Sequence, residues 1–363
     1  MKVQGYFLQL FLLQKEYILH KLIYSIPHIP YAIVELNNNF MAIADIHQDI
    51  IQTHILTRLD GQTLAAASCT SSQIQSLCSD HKLWSNICAS YWPSTNDPLV
   101  TKIISSFISG HRSFFSDSFS CPLHRVNTTN SFSQTTRIIS AVDLRYLDEL
   151  VFSKVEVTDT TASDWFQSSP FRIDLLEPKE VVPSCIEFSG DDQEIQSNLR
   201  KHVTLSWILI DPTQNRSVNL SSIKPVSVQR NWLTDEIELT FALVTSSNAP
   251  LHDNDYVNCN IEITCGIKGA SGNLYVSGMS LTVQDMDGKC LSGNDSLVIL
   301  QGLTMAKRRR SDGGEGLRMR YDEYVERRQE RKEKNERRER RLDMVCVASG
   351  VVFLMAFWSL ALY

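Results

Sequence analysis

Ile46–Tyr91 reads IHQDIIQTHILTRLDGQTLAAASCTSSQIQSLCSDHKLWSNICASY, and the spacing of its apolar residues organises the reading of the whole chain. Ile46, Ile50, Ile51, Ile55, Leu56 and Leu59 fall on one stripe of a helix. Asp45 or Asp49 is placed to cap it. Asp60-Gly61 breaks the pattern, and Thr63 can cap a second short helix through Leu64-Ala65-Ala66-Ala67. Asp80 opens a third, with Leu83, Trp84, Ile87, Cys88 and Tyr91 on one face, and Trp92-Pro93 stops it. Three short helices cannot bury all of these groups against one another. Some must meet another surface, which is what a docking module needs.

Ile55-Leu56-Thr57-Arg58-Leu59, Leu64, Ser68-Cys69 and Leu83-Trp84 stand in the order and spacing of an F-box. The stretch therefore resembles the short motif that docks a protein onto the Skp-type adaptor of a cullin ubiquitin ligase. It departs at its start, where His47 and Gln48 stand in the usual leucine and proline positions. The wording of Ser206–Pro212 (SWILIDP) and Pro225–Leu233 (PVSVQRNWL) is similar to a group of plant F-box proteins with a β-rich second domain. The resemblance implies that Ile51, Ile55, Leu56, Leu59, Leu64, Leu83 and Trp84 form the adaptor-docking surface or its support.

The chain has 363 residues, enough for about two domains with appendages. Its net charge of −6 conceals an asymmetry. Lys307–Asp343 holds 15 Lys/Arg and 10 Asp/Glu, so it carries +5 and the remainder −11. A charged tail on an acidic body points to a surface partner for the tail rather than to a nucleic-acid-binding fold. Nine cysteines are scattered singly, with no CxxC pair and no His pair at zinc spacing. That pattern reads as reduced cytosolic thiols, and no metal or cofactor is expected.

Residues 1–40 fit poorly with the F-box-like stretch beyond them. Tyr6–Leu13 is too short to span a bilayer and lacks a small-residue cleavage site. Met41 is read as the natural start, with 1–40 as an extension. The F-box is assigned to 43–92, and 93–136 reads as a linker with one helix over Pro98–Ser109, whose apolar face is Leu99, Ile103, Ile104, Phe107 and Ile108. From 137 to 304 the period changes to two. Val151–Val157, Val203–Ile210 and Ile237–Phe241 alternate, and further strands are expected at Cys185–Phe188, Val226–Arg230, Val257–Thr264, Leu274–Val283 and Leu297–Leu300. Many short strands with regular turns predict an antiparallel sandwich-like domain.

No glycine-rich phosphate loop, GxSxG or HExxH occurs, so no catalytic set is expected. Asp191-Asp192 and Asp253-x-Asp255 read as solvated loop acids, without a third ligand or His at useful spacing; His202 and His252 are isolated. Trp165, Trp207 and Trp232 either pack the core or line a groove. Trp207, Arg230 and Trp232 are the candidate substrate contacts, and Trp232 follows Gln229-Arg230-Asn231, which suits a surface aromatic. Four Asn-x-Ser/Thr sites, at Asn127, Asn215, Asn219 and Asn294, matter only for a lumenal domain.

Lys307–Arg310 is a basic run within a linker, 305–316, whose Gly313–Gly316 reads as a flexible joint. Across 317–343 acid-before-base pairs four apart, such as Glu333–Arg337 and Glu336–Arg340, support a solvated helical stalk. Met344–Tyr363 has no charged residue and spans roughly 30 Å as a helix, the thickness of a hydrocarbon core. Arg337, Arg338, Arg340 and Arg341 precede it, which places the bulk of the chain in the cytosol and lets the last turns meet anionic lipid. The expectation is an α+β multidomain chain: a small three-helix F-box module, an antiparallel β-sandwich-like domain, and a long charged helix leading into one transmembrane helix. It would serve as a tail-anchored, non-catalytic substrate receptor of a Skp–cullin–F-box ligase. A membrane-anchored scaffold or lectin-like binder without ligase association is the alternative.

Overall fold

A computed structural model of the chain describes residues 47–122, 125–126, 136–160, 164–187, 191–247, 255–268, 273–309 and 314–361. The extension over 1–40, Met41, Asp45, Ile46, the Asn127 site, His252, Asp253, Arg310, Gly313 and the side chain of Trp165 lie outside the described residues. Two compact units are present. One holds the described residues up to Thr95 together with Ile104–Phe115; the other holds Asn96–Ile103 and the described residues from Ser116 onward.

The first unit is helical. It begins with α1, Gln48–Ile50, which continues π-wound over Ile51–Ile55 and tightens to 3-10 over Leu56–Arg58. Then come α2, Gly61–Ala67, α3, Ser72–Leu77, and α4, His81–Tyr91. The chain goes on through α5, Pro98–Ile104, and α6, His111–Phe119. Three expectations change here. The count of three helices omits α3, whose signal was Ser71: its hydroxyl accepts from Ile74 N at 3.2 Å and caps the helix. The second helix is capped by Asp60, which accepts from Thr63 N at 2.7 Å, and not by Thr63. The helix expected over Pro98–Ser109 ends at Ile104. Phe107 is buried beyond it, and Ile108 is left fully exposed.

The second unit is built on two large sheets, with a small pair, Cys121–Pro122 (β1) against Arg308–Arg309 (β13), beside them. The strands of the first sheet are β3 at Arg137–Tyr146, β4 at Glu149–Asp159, β7 at Val203–Asp211 and β8 at Arg216–Asn219, in the order β4-β3-β7-β8 and all antiparallel. The other is built on β10, Ile237–Ser247, β11, Asp255–Lys268, and β12, Asn273–Gln284. It adds β5, Arg172–Asp174, and β6, Val182–Glu187, beside β12, and β9, Ser227–Arg230, beside β10. The sheet is not wholly antiparallel, because β2, Arg125–Val126, pairs parallel to Ser246 and Ser247. Val142, Trp207 and Leu209 from the first sheet share one core with Leu239, Phe241, Ile261 and Leu281 from the second. Alternation therefore places one face of each sheet inward.

Helices interrupt this β region where strands or loops were expected. A short one, α7, spans Asp164–Ser168. Asp191 is the cap of α8, Asp192–His202, through Glu194 N at 2.8 Å. Leu297–Leu300 lies in α9, Gly293–Met305, and not in a strand. Ser292 caps it by accepting from Asp295 N at 3.2 Å, and Ile299, Leu300 and Leu303 are buried. A short apolar run is ambiguous by period alone, and the cap decides it.

The last helix, α10, is continuous over Glu315–Ala361. Its first turns are not a free stalk. Leu317 enters the sandwich core, Tyr324 is buried beside Val244 and Met286, and Tyr324 OH donates to Asp285 O at 2.9 Å. The Arg327 guanidinium sits 4.7 Å from the Tyr256 ring centroid, and Arg331 pairs with Asp287 at 3.2 Å. Nor is the start of the helix a flexible joint. Gly314 has φ +94°, and a β-carbon there would lie 2.6 Å from Ser222 O. Apolar positions spaced four and then three apart, at Leu317, Tyr321 and Tyr324, are what dock the helix on the sheet.

Candidate functional site

The start of the helical unit is shaped by His47, one of the two residues that depart from the motif. His47 is the cap of α1, its Nδ1 accepting from Asp49 N at 3.4 Å. The π turn then closes with Leu56 N donating to Ile51 O. In a π turn, residues five apart come onto nearly the same face. Ile51 and Leu56 therefore both point inward and are buried. Thr53 and Thr57 turn their hydroxyls back onto Asp49 O and Thr53 O, at 2.6 and 2.8 Å, which favours this local distortion. The outward face carries Ile50, 49% exposed, with Ile55 and Leu59 half-buried. Sequence spacing placed six isoleucines and leucines on one stripe; the π turn splits the five described ones into an inner set, Ile51 and Leu56, and an outer set, Ile50, Ile55 and Leu59.

The inner set is braced by polar contacts. Gln52 Nε2 donates to Asp80 Oδ2 at 3.0 Å, while Asp80 Oδ1 caps α4 at Lys82 N, also at 3.0 Å. Leu64, Leu83 and Trp84 are buried, and Trp84 Nε1 donates to Cys78 O at 2.7 Å. Of the seven docking candidates, Ile51, Leu56, Leu64, Leu83 and Trp84 thus lie in the interior, and Ile55 and Leu59 reach the surface.

Phe114, Phe115 and Arg112 complete the unit, and of these only Arg112 carries no signal in the local pattern. The Phe115 ring lies 5.4 Å from Trp84 and 5.5 Å from Trp92, and Phe114 meets Trp92 edge-on at 5.8 Å. Arg112 reaches Ser68 Oγ and Ser79 Oγ at 3.3 and 3.4 Å and lies 6.0 Å from the Trp84 ring. Burial pushes the Cys88 thiol up to about 12 and the Cys78 thiol up to about 11, the latter against the opposing pull of Arg112. Both are therefore neutral packing groups at ordinary pH.

In the second unit the substrate candidates part company. Trp207 is fully buried, with Nε1 donating to Ser140 Oγ at 3.1 Å, so it is a core residue and not a contact for a ligand. It alternates inward on a central strand. Trp232 is 91% exposed on the loop between β9 and β10. Arg230 pairs with Asp192 and, at 3.5 Å, with Asp235. Among the described residues no three His, Cys, Asp or Glu side chains gather as a metal site. The one strongly buried charge cluster among them is structural. Asp117 meets Arg216 Nε at 2.8 Å and Arg308 Nε at 4.0 Å, while Arg308 also donates to Ser217 O, Thr304 O and Leu303 O. Arg308 is thereby taken out of the basic run that begins at Lys307.

An F-box-like family model matches residues 50–90, the stretch from Ile50 to the end of α4. F-box protein At2g27310 of Arabidopsis thaliana is 42% identical over 88% of this chain and 96% of its own length. The chain belongs to the F-box protein family. Two more Arabidopsis relatives, F-box protein At3g44326 and Probable F-box protein At2g36090, are each 42% identical, over 78% and 85% of this chain and 80% and 90% of their own lengths. No solved structure matches this F-box protein significantly. F-box proteins generally act as substrate receptors of Skp–cullin–F-box ubiquitin ligases, binding a Skp-type adaptor and through it a cullin, and are typically non-catalytic. The likeness to the Arabidopsis proteins runs far beyond the motif, so the β-rich unit and the helices around it belong to the shared architecture.

Proposed function

We propose that this chain is the substrate receptor of a Skp–cullin–F-box ligase held at a membrane by the apolar part of α10. The observation that carries the ligase reading is the family match over 50–90, on a unit that turns Ile50, Ile55 and Leu59 outward. In this reading Ile55 and Leu59 touch the adaptor, and Ile51, Leu56, Leu64, Leu83 and Trp84 hold them in place. The receptor acts by proximity, presenting a protein to the ubiquitin-loaded enzyme.

The membrane reading rests on α10, which is long and apolar enough to cross a bilayer. From Met344 to Phe357 its large apolar side chains are exposed, with no protein surface against them among the described residues. Water is a poor solvent for such a helix, and hydrocarbon is a good one. Arg337, Arg338, Arg340 and Arg341 stand just before it, suited to anionic headgroups on the cytosolic side.

Capture of the full chain by a purified Skp-type adaptor tests the ligase reading; no capture of the unaltered chain would refute it. Alkaline extraction and protease treatment of microsomes test the second part. The chain should resist extraction while its β-rich unit is digested. A protected β-rich unit, or glycan on Asn215, would reverse the orientation. A second reading, a membrane-held scaffold without ligase association, is favoured only by His47-Gln48 at the start of the motif, and the same capture experiment decides it.

A further inference from the structure

The loop between β9 and β10 spends its polar groups on presenting two apolar ones. Asn231 N donates to Glu236 O at 2.8 Å, and Asp235 N donates back to Asn231 O at 2.9 Å. The Asn231 side chain accepts from Leu233 N at 2.9 Å and Thr234 N at 3.4 Å, and donates to Glu238 at 2.8 Å. Ser277 ties Glu236 down from β12 at 2.8 Å. The tip is thus held in one shape, yet Trp232 is 91% and Leu233 75% exposed. A hairpin needs only polar turn residues to close, so an ordered Trp-Leu pair in water calls for an explanation in terms of contact.

The surroundings select the partner. Asp192, Asp235, Glu236 and Glu238 stand around the tip, and Arg230, the cation among them, is already paired with Asp192 and Asp235. Among the described side chains the rim is therefore acidic and repels anionic lipid. Topology agrees. Ile237 begins β10 at the tip, and the strand runs roughly 33 Å to Ser247. Around that far end α10 leaves the sheet, with Tyr324 beside Val244, Arg327 over Tyr256 and Arg331 on Asp287. With α10 in a membrane, the tip is the end of the sheet remote from the bilayer. That placement rests on the membrane reading; the chemistry of the tip does not.

We propose that Trp232-Leu233 is a docking tip that inserts into an apolar pocket with a basic rim on a protein partner. A random-peptide library selected against the full chain in nanodiscs tests this directly. The expected enriched peptides combine an aromatic or aliphatic centre with flanking Lys or Arg. Their binding should fall about tenfold in Trp232→Ala and in Leu233→Ser, as for a hot-spot contact. It should fall several-fold in Asp235→Asn and on raising salt, with the melting temperature unchanged throughout. No enrichment, acidic flanks, or binding untouched by Trp232→Ala would overturn the proposal. So would flotation of the nanodisc-held chain with phosphatidylcholine–phosphatidylserine vesicles that Trp232→Ala abolishes, which assigns the tip to lipid. Intact adaptor capture alongside any of these failures leaves the ligase reading standing and removes this one alone.

Discussion

The ring of Phe115 occupies the place where Gly61 would carry a side chain: a β-carbon on Gly61 would lie 2.2 Å from Phe115 Cζ. Gly61 opens α2, and Phe115 also packs on Trp84 and Trp92. One ring thus couples the start of one helix to the aromatic centre of the unit. Gly61→Ala should cost about 2 kcal/mol through overpacking. The loss should show in the urea midpoint, and adding Phe115→Leu should recover part of it. Full stability in the single variant would mean that the ring can move aside.

The docking candidates should separate by burial. Ile55→Asp and Leu59→Asp change half-buried outer positions, so adaptor capture should fall more than tenfold while melting is nearly unchanged. Leu64→Asp and Trp84→Ala strike the interior, the latter costing about 3–5 kcal/mol, and should lose capture by unfolding the unit. Circular dichroism alongside capture distinguishes the two outcomes.

Asp117 is the carboxylate between Arg216 and Arg308, and burial raises its pKa against the pull of both arginines. Asp117→Ala leaves two guanidinium groups without their counter-ion, with Arg308 largely buried. A loss of about 3 kcal/mol or more is expected. Arg308→Met, which leaves the Asp117–Arg216 pair intact, should cost less. Comparing their urea midpoints checks the order.

Alkaline pH should destabilise the β-rich unit. Burial pushes the thiols of Cys259 and Cys265 from 9.0 up to about 12, and the Tyr324 phenol from 10.0 up to about 12. The folded chain then keeps protons that the unfolded chain releases. The stability from these groups is complete below about pH 9 and is lost as pH rises toward about 12. The urea midpoint should therefore be lower at about pH 10.5 than at about pH 8. The Cys259→Ala, Cys265→Ala double variant should show a shallower fall.

Docking of α10 depends on Tyr324. Tyr324→Ala removes a buried ring and its hydrogen bond to Asp285 O, a cost of about 3–5 kcal/mol in the contact between helix and sheet. Amide hydrogen exchange should rise across Leu317–Arg331, and adaptor capture should stay at its original level. Unchanged exchange would show that Leu317 and the Arg331–Asp287 pair suffice to hold the helix.

Local pattern alone determined the broad order of this protein. The Leu83-Trp84 end of the motif, the alternation of β7 and β10, and the uncharged run after Asp343 are periodic or compositional signals, legible because they concern neighbours along the chain. Only the tertiary structure decided what those residues face. A π turn at Ile51–Ile55 sends Ile51 and Leu56 inward and leaves Ile55 and Leu59 at the surface, a split that a regular helical period cannot express. The polar residues before Trp232 already suit a surface aromatic, but only the packing places Trp207 in the core of a central strand and builds the turn that Asn231 holds beneath Trp232. The Phe115 ring against Gly61, and Tyr324 against Val244, join residues far apart in sequence. Such contacts follow from the whole packing arrangement, because burial depends on which distant surfaces arrive and not on the residue's own spacing.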